Sequence, residues 1–139
     1  MHRRLKSRSV LVVDDDPAIL IFIGRLLESR GMRALYARNA DVAVEIAARQ
    51  YVPIDVVLAN LMLPGLSGPE AVNRVRELRP GLPALYMSAR IDSGVIRIDA
   101  MHRDTGAHDD RSRKTFFDTI CDAIAVPHAA TPGSQYPYQ

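Results

Sequence analysis

Residues 9–20 read SVLVVDDDPAIL, and the order of residue types in this stretch decides the fold. Val10-Leu11-Val12-Val13 is a continuous β-branched and leucine run, the pattern of a strand buried on both faces of a parallel sheet. It stops abruptly at Asp14, Asp15 and Asp16. Pro17 suits the first position of a helix, with Asp16 as its cap. Ile19, Leu20, Ile23, Leu26 and Leu27 then recur at helical spacing until Gly31 ends the pattern.

The same unit repeats. Residues 32–37 read as a short strand, and 39–50 as a helix with Val42, Val44 and Ile46 toward the core. Asp55-Val56-Val57-Leu58-Ala59 is a third strand that ends at Asn60. Pro64, Gly65 and Gly68 mark a tight loop. Ser67 and Glu70 have capping-box spacing, with Pro69 in the first turn, so a helix is expected from there to Arg79. Val72, Val75 and Leu78 form its inner stripe, and Arg74, Arg76 and Arg79 an exposed face. Ala84-Leu85-Tyr86-Met87 is a fourth strand, ending at Ser88.

Beyond Arg90 the pattern weakens. Residues 91–104 predict a helix through Val95, Ile96, Ile98 and Met101. A fifth strand is expected after Gly106-Ala107, but the charged run His108 to Arg113 is a poor buried strand, so that strand is expected to be degenerate. Thr115 and Asp118 resemble another capped helix start, with Phe116, Phe117, Ile120, Ala123 and Ile124 as its apolar face. The expected division is a basic, solvated segment over 1–8, one domain over 9–126, and a disordered tail over 127–139.

Repeated βα units imply an α/β, doubly wound parallel sheet with helices on both faces. Ligands of such sheets sit at the carboxyl ends of the strands. Asp14, Asp15, Asn60 and Ser88 fall at those ends, and Lys114 lies where a fifth strand would finish.

Four stretches, SVLVVDDDPAIL, IDVVLANLMLPGLSG, LPALYMSAR and RKTF, resemble in order the signature stretches of CheY-like receiver domains of two-component response regulators. The likeness runs from Ser9 to Val126 and is tightest before Arg90; around the third strand it is similar to receivers associated with hybrid sensor histidine kinases. It implies a flavodoxin-like five-stranded parallel sheet in the order 2-1-3-4-5. In that family an aspartate after the third strand takes phosphate from a phosphohistidine and becomes an acyl phosphate. Magnesium, held by the acidic cluster, neutralises the phosphoryl oxygens during in-line transfer. By position, Asp14 and Asp15 match the acidic cluster, the Met62 main-chain carbonyl the remaining metal ligand, Ser88 the hydroxyl and Lys114 the lysine.

Asn60 matches the phosphoacceptor, and that departure decides the functional expectation. A carboxamide is neutral and weakly nucleophilic, so it cannot form the acyl phosphate, and its lost charge leaves weak magnesium binding at most. Thr115 stands where a proline usually follows the lysine, so a trans bond is expected, a non-proline cis bond costing about 3 kcal/mol. Arg111 occupies the position of the switch aromatic.

The acidic triplet is better explained by a cation site than by helix capping alone, because three consecutive acids repel one another. His2, His102, His108 and His128 show no ligand spacing. Cys121 is the only cysteine, which excludes an internal disulfide and a CxxC metal site. No stretch approaches the ~20 apolar residues that span a bilayer, and the basic start makes a poor signal peptide. The 139 residues carry a formal charge of only +2, with no helix-turn-helix or zinc-finger pattern, so a nucleic-acid partner is not expected.

The expected protein is therefore a stand-alone, cytoplasmic, non-enzymatic signalling module, a monomer or weak dimer. It would meet a sensor histidine kinase or another signalling protein by contact, without phosphorylation at Asn60. Two alternatives remain open: phosphotransfer retained through Asp14 or Asp15, and a degenerate receiver without signalling activity.

Overall fold

The computed structural model describes residues 5–103 and 115–125. The strands are β1 (Ser9–Val13), β2 (Arg33–Ala37), β3 (Val56–Asn60), β4 (Met62–Leu63), β5 (Leu66–Ser67), β6 (Ala84–Asp92) and β7 (Val95–Arg103). The helices are α1 (Pro17–Glu28), α2 (Ala40–Ala48), α3 (Gly68–Leu78) and α4 (Phe116–Ala125). The main sheet runs β2-β1-β3-β6-β7, which is the expected order of a flavodoxin-like receiver fold. Its first four strands are parallel.

Alternate residues of the apolar strands feed two separate cores, which is why β1 and β3 read as unbroken hydrophobic runs. Leu11, Val13, Val57, Ala59 and Tyr86 face α2 and α3. Val10, Val12, Val56, Leu58, Leu85 and Met87 face α1 and α4. The buried stripe of α2 is Ala40, Ala43 and Ala47, whereas the expected Val42, Val44 and Ile46 are only half-buried. Small side chains along that stripe let α2 lie close to the sheet. In α3, Ala71, Val72 and Val75 point inward, while Leu78 is exposed.

Two expectations about charged segments are corrected. Leu5 is fully buried in the α1-side core, Ser7 N–H donates to the Gly31 carbonyl at 2.8 Å, and Arg8 pairs with Asp55 at 3.2 Å. Residues 5–8 are thus anchored to the domain rather than frayed, although Lys6, Ser7 and Arg8 stay exposed. Arg76 and Arg79 are half-buried rather than forming an exposed face. Arg79 donates to the carbonyls of Ala47 (3.0 Å), Arg49 (2.9 Å) and Val52 (2.8 Å), while Arg76 donates to that of Leu82 (2.8 Å). The orphan carbonyls at the end of α2 attract such a cation. Only Arg74 behaves as expected, exposed and 3.6 Å from Asp41.

The largest correction lies after Ser88. The fourth strand continues to Asp92, turns through Ser93 and Gly94, and returns as β7, so no helix spans 91–104. Ser93 (φ 53°) and Gly94 (φ 82°) are both left-handed, as the tight turn favoured in hairpins requires. Residues 96–99, IRID, alternate apolar and charged, a period of two that supports a strand, not a helix. Ile96 and Ile98 accordingly pack on the α1-side core while Arg97 and Asp99 are exposed. The fifth strand of the sheet is therefore β7, drawn from an earlier segment than expected and antiparallel to β6, with a bulge between Ser88 and Ala89. The charged run His108 to Arg113 lies outside the described residues, as does the expected tail.

The expected capped start of α4 is present: Asp118 N–H donates to Thr115 Oγ1 at 3.0 Å and Thr115 N–H to the Asp118 carboxylate at 3.2 Å. Phe117 and Ile120 are buried, and the Arg30 guanidinium lies 4.2 Å over the Phe117 ring. Arg30 follows α1 and precedes β2, so α4 starts toward the end of the domain where the strands begin.

Candidate functional site

Parallel strands β1 and β3 end side by side, and their ends bring Asp14 and Asn60 together. Asp14 is fully buried, its N–H bonded to the Ala37 carbonyl at the end of β2 (3.1 Å). One carboxylate oxygen accepts from Asp16 N–H at 2.9 Å. The other accepts from the Asn60 amide nitrogen at 3.1 Å. The Asn60 amide oxygen in turn accepts from Met62 N–H at 3.1 Å. Flipping this amide would set oxygen against carboxylate and nitrogen against N–H, so its two neighbours fix its orientation.

Asp16 plays a different part: its carboxylate accepts from Ala18 N–H at 2.9 Å and caps α1, as expected from Pro17. Asp15 is exposed beside them. Burial raises the Asp14 pKa above the usual carboxylate value. The bonds from Asp16 N–H and the Asn60 amide oppose that rise, and the charges of Asp15 and Asp16 add to it.

The loop after Asn60 is held tightly. Leu61 N–H donates to the Met87 carbonyl at 2.9 Å and Gly68 N–H to the Leu61 carbonyl at 2.7 Å. A side chain at Gly68 would fall on the Asn60 carbonyl oxygen, which explains glycine there. Strands β4 and β5 clasp the loop, and the Ser67–Glu70 capping box opens α3 through bonds of 2.9 and 3.2 Å. Those Ser67 bonds hold the Glu70 carboxyl below its usual range. Met62 is largely exposed, and its N–H is bonded to the Asn60 amide oxygen. Ser88 is half-buried on β6, one residue past the level of Asn60, where Met87 is its register partner. Lys114 and Arg111 lie outside the described residues; Thr115, the neighbour of Lys114, starts α4 at the end of the sheet away from Asn60.

Magnesium chemistry can be tested against this donor set. Asp14 has both oxygens occupied, and among the described residues no buried side-chain nitrogen or oxygen lacks a hydrogen bond. No group of three or more His, Cys, Asp or Glu side chains is gathered for a metal ion among them. Asn60 presents an N–H, not an oxygen, to the carboxylate that a cation would need. The residues present do not fit a strong divalent site. Neither the Gly68 approach nor the Ala37 and Met87 carbonyl contacts are visible in sequence, because they depend on backbone proximity rather than side-chain type.

Comparison with known proteins agrees with the fold. The response regulator receiver domain model matches residues 10–110. The chain is 32% identical over 89 residues to a cyclic di-GMP phosphodiesterase of Thermotoga maritima, covering 64% of this chain and 23% of that protein. It is 35% identical over 82 residues to the probable transcriptional regulatory protein TcrX of Mycobacterium tuberculosis, covering 59% and 34%. It is 30% identical over 98 residues to the autoinducer 1 sensor kinase/phosphatase LuxN of Vibrio harveyi, covering 70% and 11%. The matches span at most about a third of these three relatives' own length. Among solved structures, the receiver domain of the hybrid histidine kinase CckA has a TM-score of 0.52 and 28% identity, covering 56% of this chain and 72% of that one. A response regulator receiver protein from Pseudomonas putida has a TM-score of 0.55 and 28% identity, covering 62% and 71%. No helix among the described residues is long and apolar enough to cross a membrane. With the sheet order, the acidic pocket and a family match over most of its length, this chain belongs to the response regulator receiver family.

Proposed function

We propose that this receiver domain signals by protein contact with a two-component partner, a sensor histidine kinase or another signalling protein, without phosphorylation at position 60. The observation that carries this reading is the Asn60 amide, which donates to Asp14 and accepts from Met62 N–H. An aspartate in its place would set one carboxylate against another, an arrangement that needs a cation or a shared proton. Asn60 supplies the missing donor from within the chain. The pocket is thereby closed in one state, with no nucleophile at the acceptor position and with Asp14, Asp15 and the Met62 carbonyl left to hold magnesium weakly.

The domain itself is read as a signalling module rather than an enzyme. The named activities of its relatives differ, from phosphodiesterase to transcriptional regulator to sensor kinase, while the shared part is a minor fraction of each. What they have in common is the receiver, so the varied activities are read as belonging elsewhere in those proteins.

The test mixes the purified protein with magnesium and acetyl phosphate and compares intact masses with an Asn60→Asp variant. The parent is expected to gain nothing and the variant one phosphate. A labelled parent whose label disappears in an Asp14→Ala, Asp15→Ala variant would overturn the reading in favour of an alternative acceptor. If neither protein is labelled, the pocket has lost more than its nucleophile and the degenerate-receiver alternative takes precedence.

A further inference from the structure

The pocket end of the sheet is tied together by a connected set of hydrogen bonds. The β1–β3 ladder runs up to the Val13–Ala59 pair, and Asp14 and Asn60 are the next residues along each chain. Asp14 N–H reaches the Ala37 carbonyl of β2, and Leu61 N–H reaches the Met87 carbonyl of β6. Between them the Asn60 amide donates to the Asp14 carboxylate. The four parallel strands β2, β1, β3 and β6 are thereby joined at their carboxyl ends, and the middle link runs between two side chains.

Each group in that middle link has its complement. Asp14 accepts from Asp16 N–H with one oxygen and from Asn60 with the other, while Asn60 accepts from Met62 N–H. A divalent cation such as magnesium needs oxygen ligands, at about 2.0–2.1 Å. To turn an oxygen toward Asp14, the Asn60 amide would lose both of its bonds and set its NH2 against Met62 N–H. The donor set therefore disfavours the ion. It supplies in the ion's place a positive group facing the Asp14 carboxylate.

We propose that the Asn60 amide replaces the divalent cation of this pocket as a fixed strut between β1 and β3, so that the folded domain neither needs magnesium nor responds to it. The inference rests on the reading of Asn60 as a position without a nucleophile, and it explains why asparagine stands there. Alanine would leave an Asp14 oxygen and Met62 N–H unpaired, and aspartate would set like charges together. The strut also has a mirror form. With Asp14→Asn and Asn60→Asp combined, the amide oxygen at 14 can accept from Asp16 N–H and its NH2 can donate to the carboxylate at 60. That carboxylate can still accept from Met62 N–H, so all three bonds survive with the side-chain roles exchanged.

Thermal unfolding of the full chain at neutral pH tests this, in chelator and in magnesium, with no phosphodonor present. The parent is expected to melt at the same temperature in both. Asn60→Asp is expected to melt about 5 °C or more lower in chelator and to regain most of that loss in magnesium, which then has two carboxylates to bridge. The combined Asp14→Asn, Asn60→Asp variant is expected to melt within about 2 °C of the parent in either condition. A parent stabilised by magnesium overturns the proposal. So does an Asn60→Asp variant that matches the parent in chelator or gains nothing from magnesium, and so does a combined variant no more stable than Asn60→Asp. Failure here is separable from failure of the functional reading. A parent that takes phosphate yet ignores magnesium overturns the contact reading alone, and one that takes none yet is stabilised by magnesium overturns the strut alone.

Discussion

The two halves of this domain obey different constraints. From Ser9 to Met87 the central strands β1 and β3 and the first half of β6 are buried on both faces, and each βα connection returns the chain to the same end of the sheet. From Ser88 onward the chain reverses through a two-residue turn, and its last strand packs one face on the core and, among the described residues, ends the sheet. The acidic pocket belongs wholly to the first half, which supplies Asp14, Asp15, Asn60 and the loop to Gly68. The second half supplies an edge. The strands buried on both faces, β1 and β3, keep the family geometry, and the departure falls on the half-buried hairpin.

Truncation measures that contrast most strongly. Leu58 is fully buried on the central strand, so Leu58→Ala is expected to destabilise by about 2–5 kcal/mol in chemical denaturation. Val95→Ala at the hairpin tip should stay within about 0.5 kcal/mol. Equal effects would mean the hairpin is as tightly packed as the core. Arg79→Ala comes next. It removes a half-buried cation from three carbonyls near the end of α2, and a loss of about 1.5–3 kcal/mol is expected. An exposed-face arginine would cost almost nothing, so Arg74→Ala is the internal control.

Capping offers a like-for-like comparison, because both halves use the same device. Ser67→Ala and Thr115→Ala should each cost about 1 kcal/mol. A clearly smaller loss at Thr115 would show that α4 is less firmly docked than α3. The smallest effect concerns pH. Since the folded state raises the Asp14 pKa, it binds that proton more tightly than the unfolded chain does. The stability this contributes is present below the ordinary aspartate range and is lost as pH rises through the raised value. Glu70, with its pKa lowered, contributes in the opposite sense: stability present above the ordinary glutamate range and lost as pH falls. Asp14→Asn should therefore gain stability relative to the parent as pH rises through the acid window, in urea titrations at stepped pH. A parallel pair of profiles would show that Asp14 does not titrate differently in the folded state.

The sequence is most readable where several signals agree. Around Asp14 a buried strand, a cap and an N-terminal proline all demand one local geometry, and the structure has it. Asn60 is legible as a position, though not as a donor to Asp14, because that depends on which way an amide points. Residues 91–104 mislead because Val95, Ile96, Ile98 and Met101 satisfy a helical spacing loosely while the shorter stretch IRID, 96–99, has a two-residue period. The Ser93-Gly94 dipeptide is the deciding turn signal. Arg76 and Arg79 mislead for another reason: helix-face logic places a Cα, but a long side chain can fold back onto carbonyls of a neighbouring element.

The Ser93–Gly94 turn also changes when the sheet can begin to assemble. Pairing β1 with β3 requires closing a loop of some forty residues, whereas the β6–β7 ladder closes across two. Hairpins form in about 1–10 μs, well ahead of long-range parallel pairing. A receiver whose fifth strand arrived by a helical crossover would gain that strand only after closing a longer loop. Here β6 can reach the central strands already paired with its neighbour, so the edge of the sheet can be built before its middle.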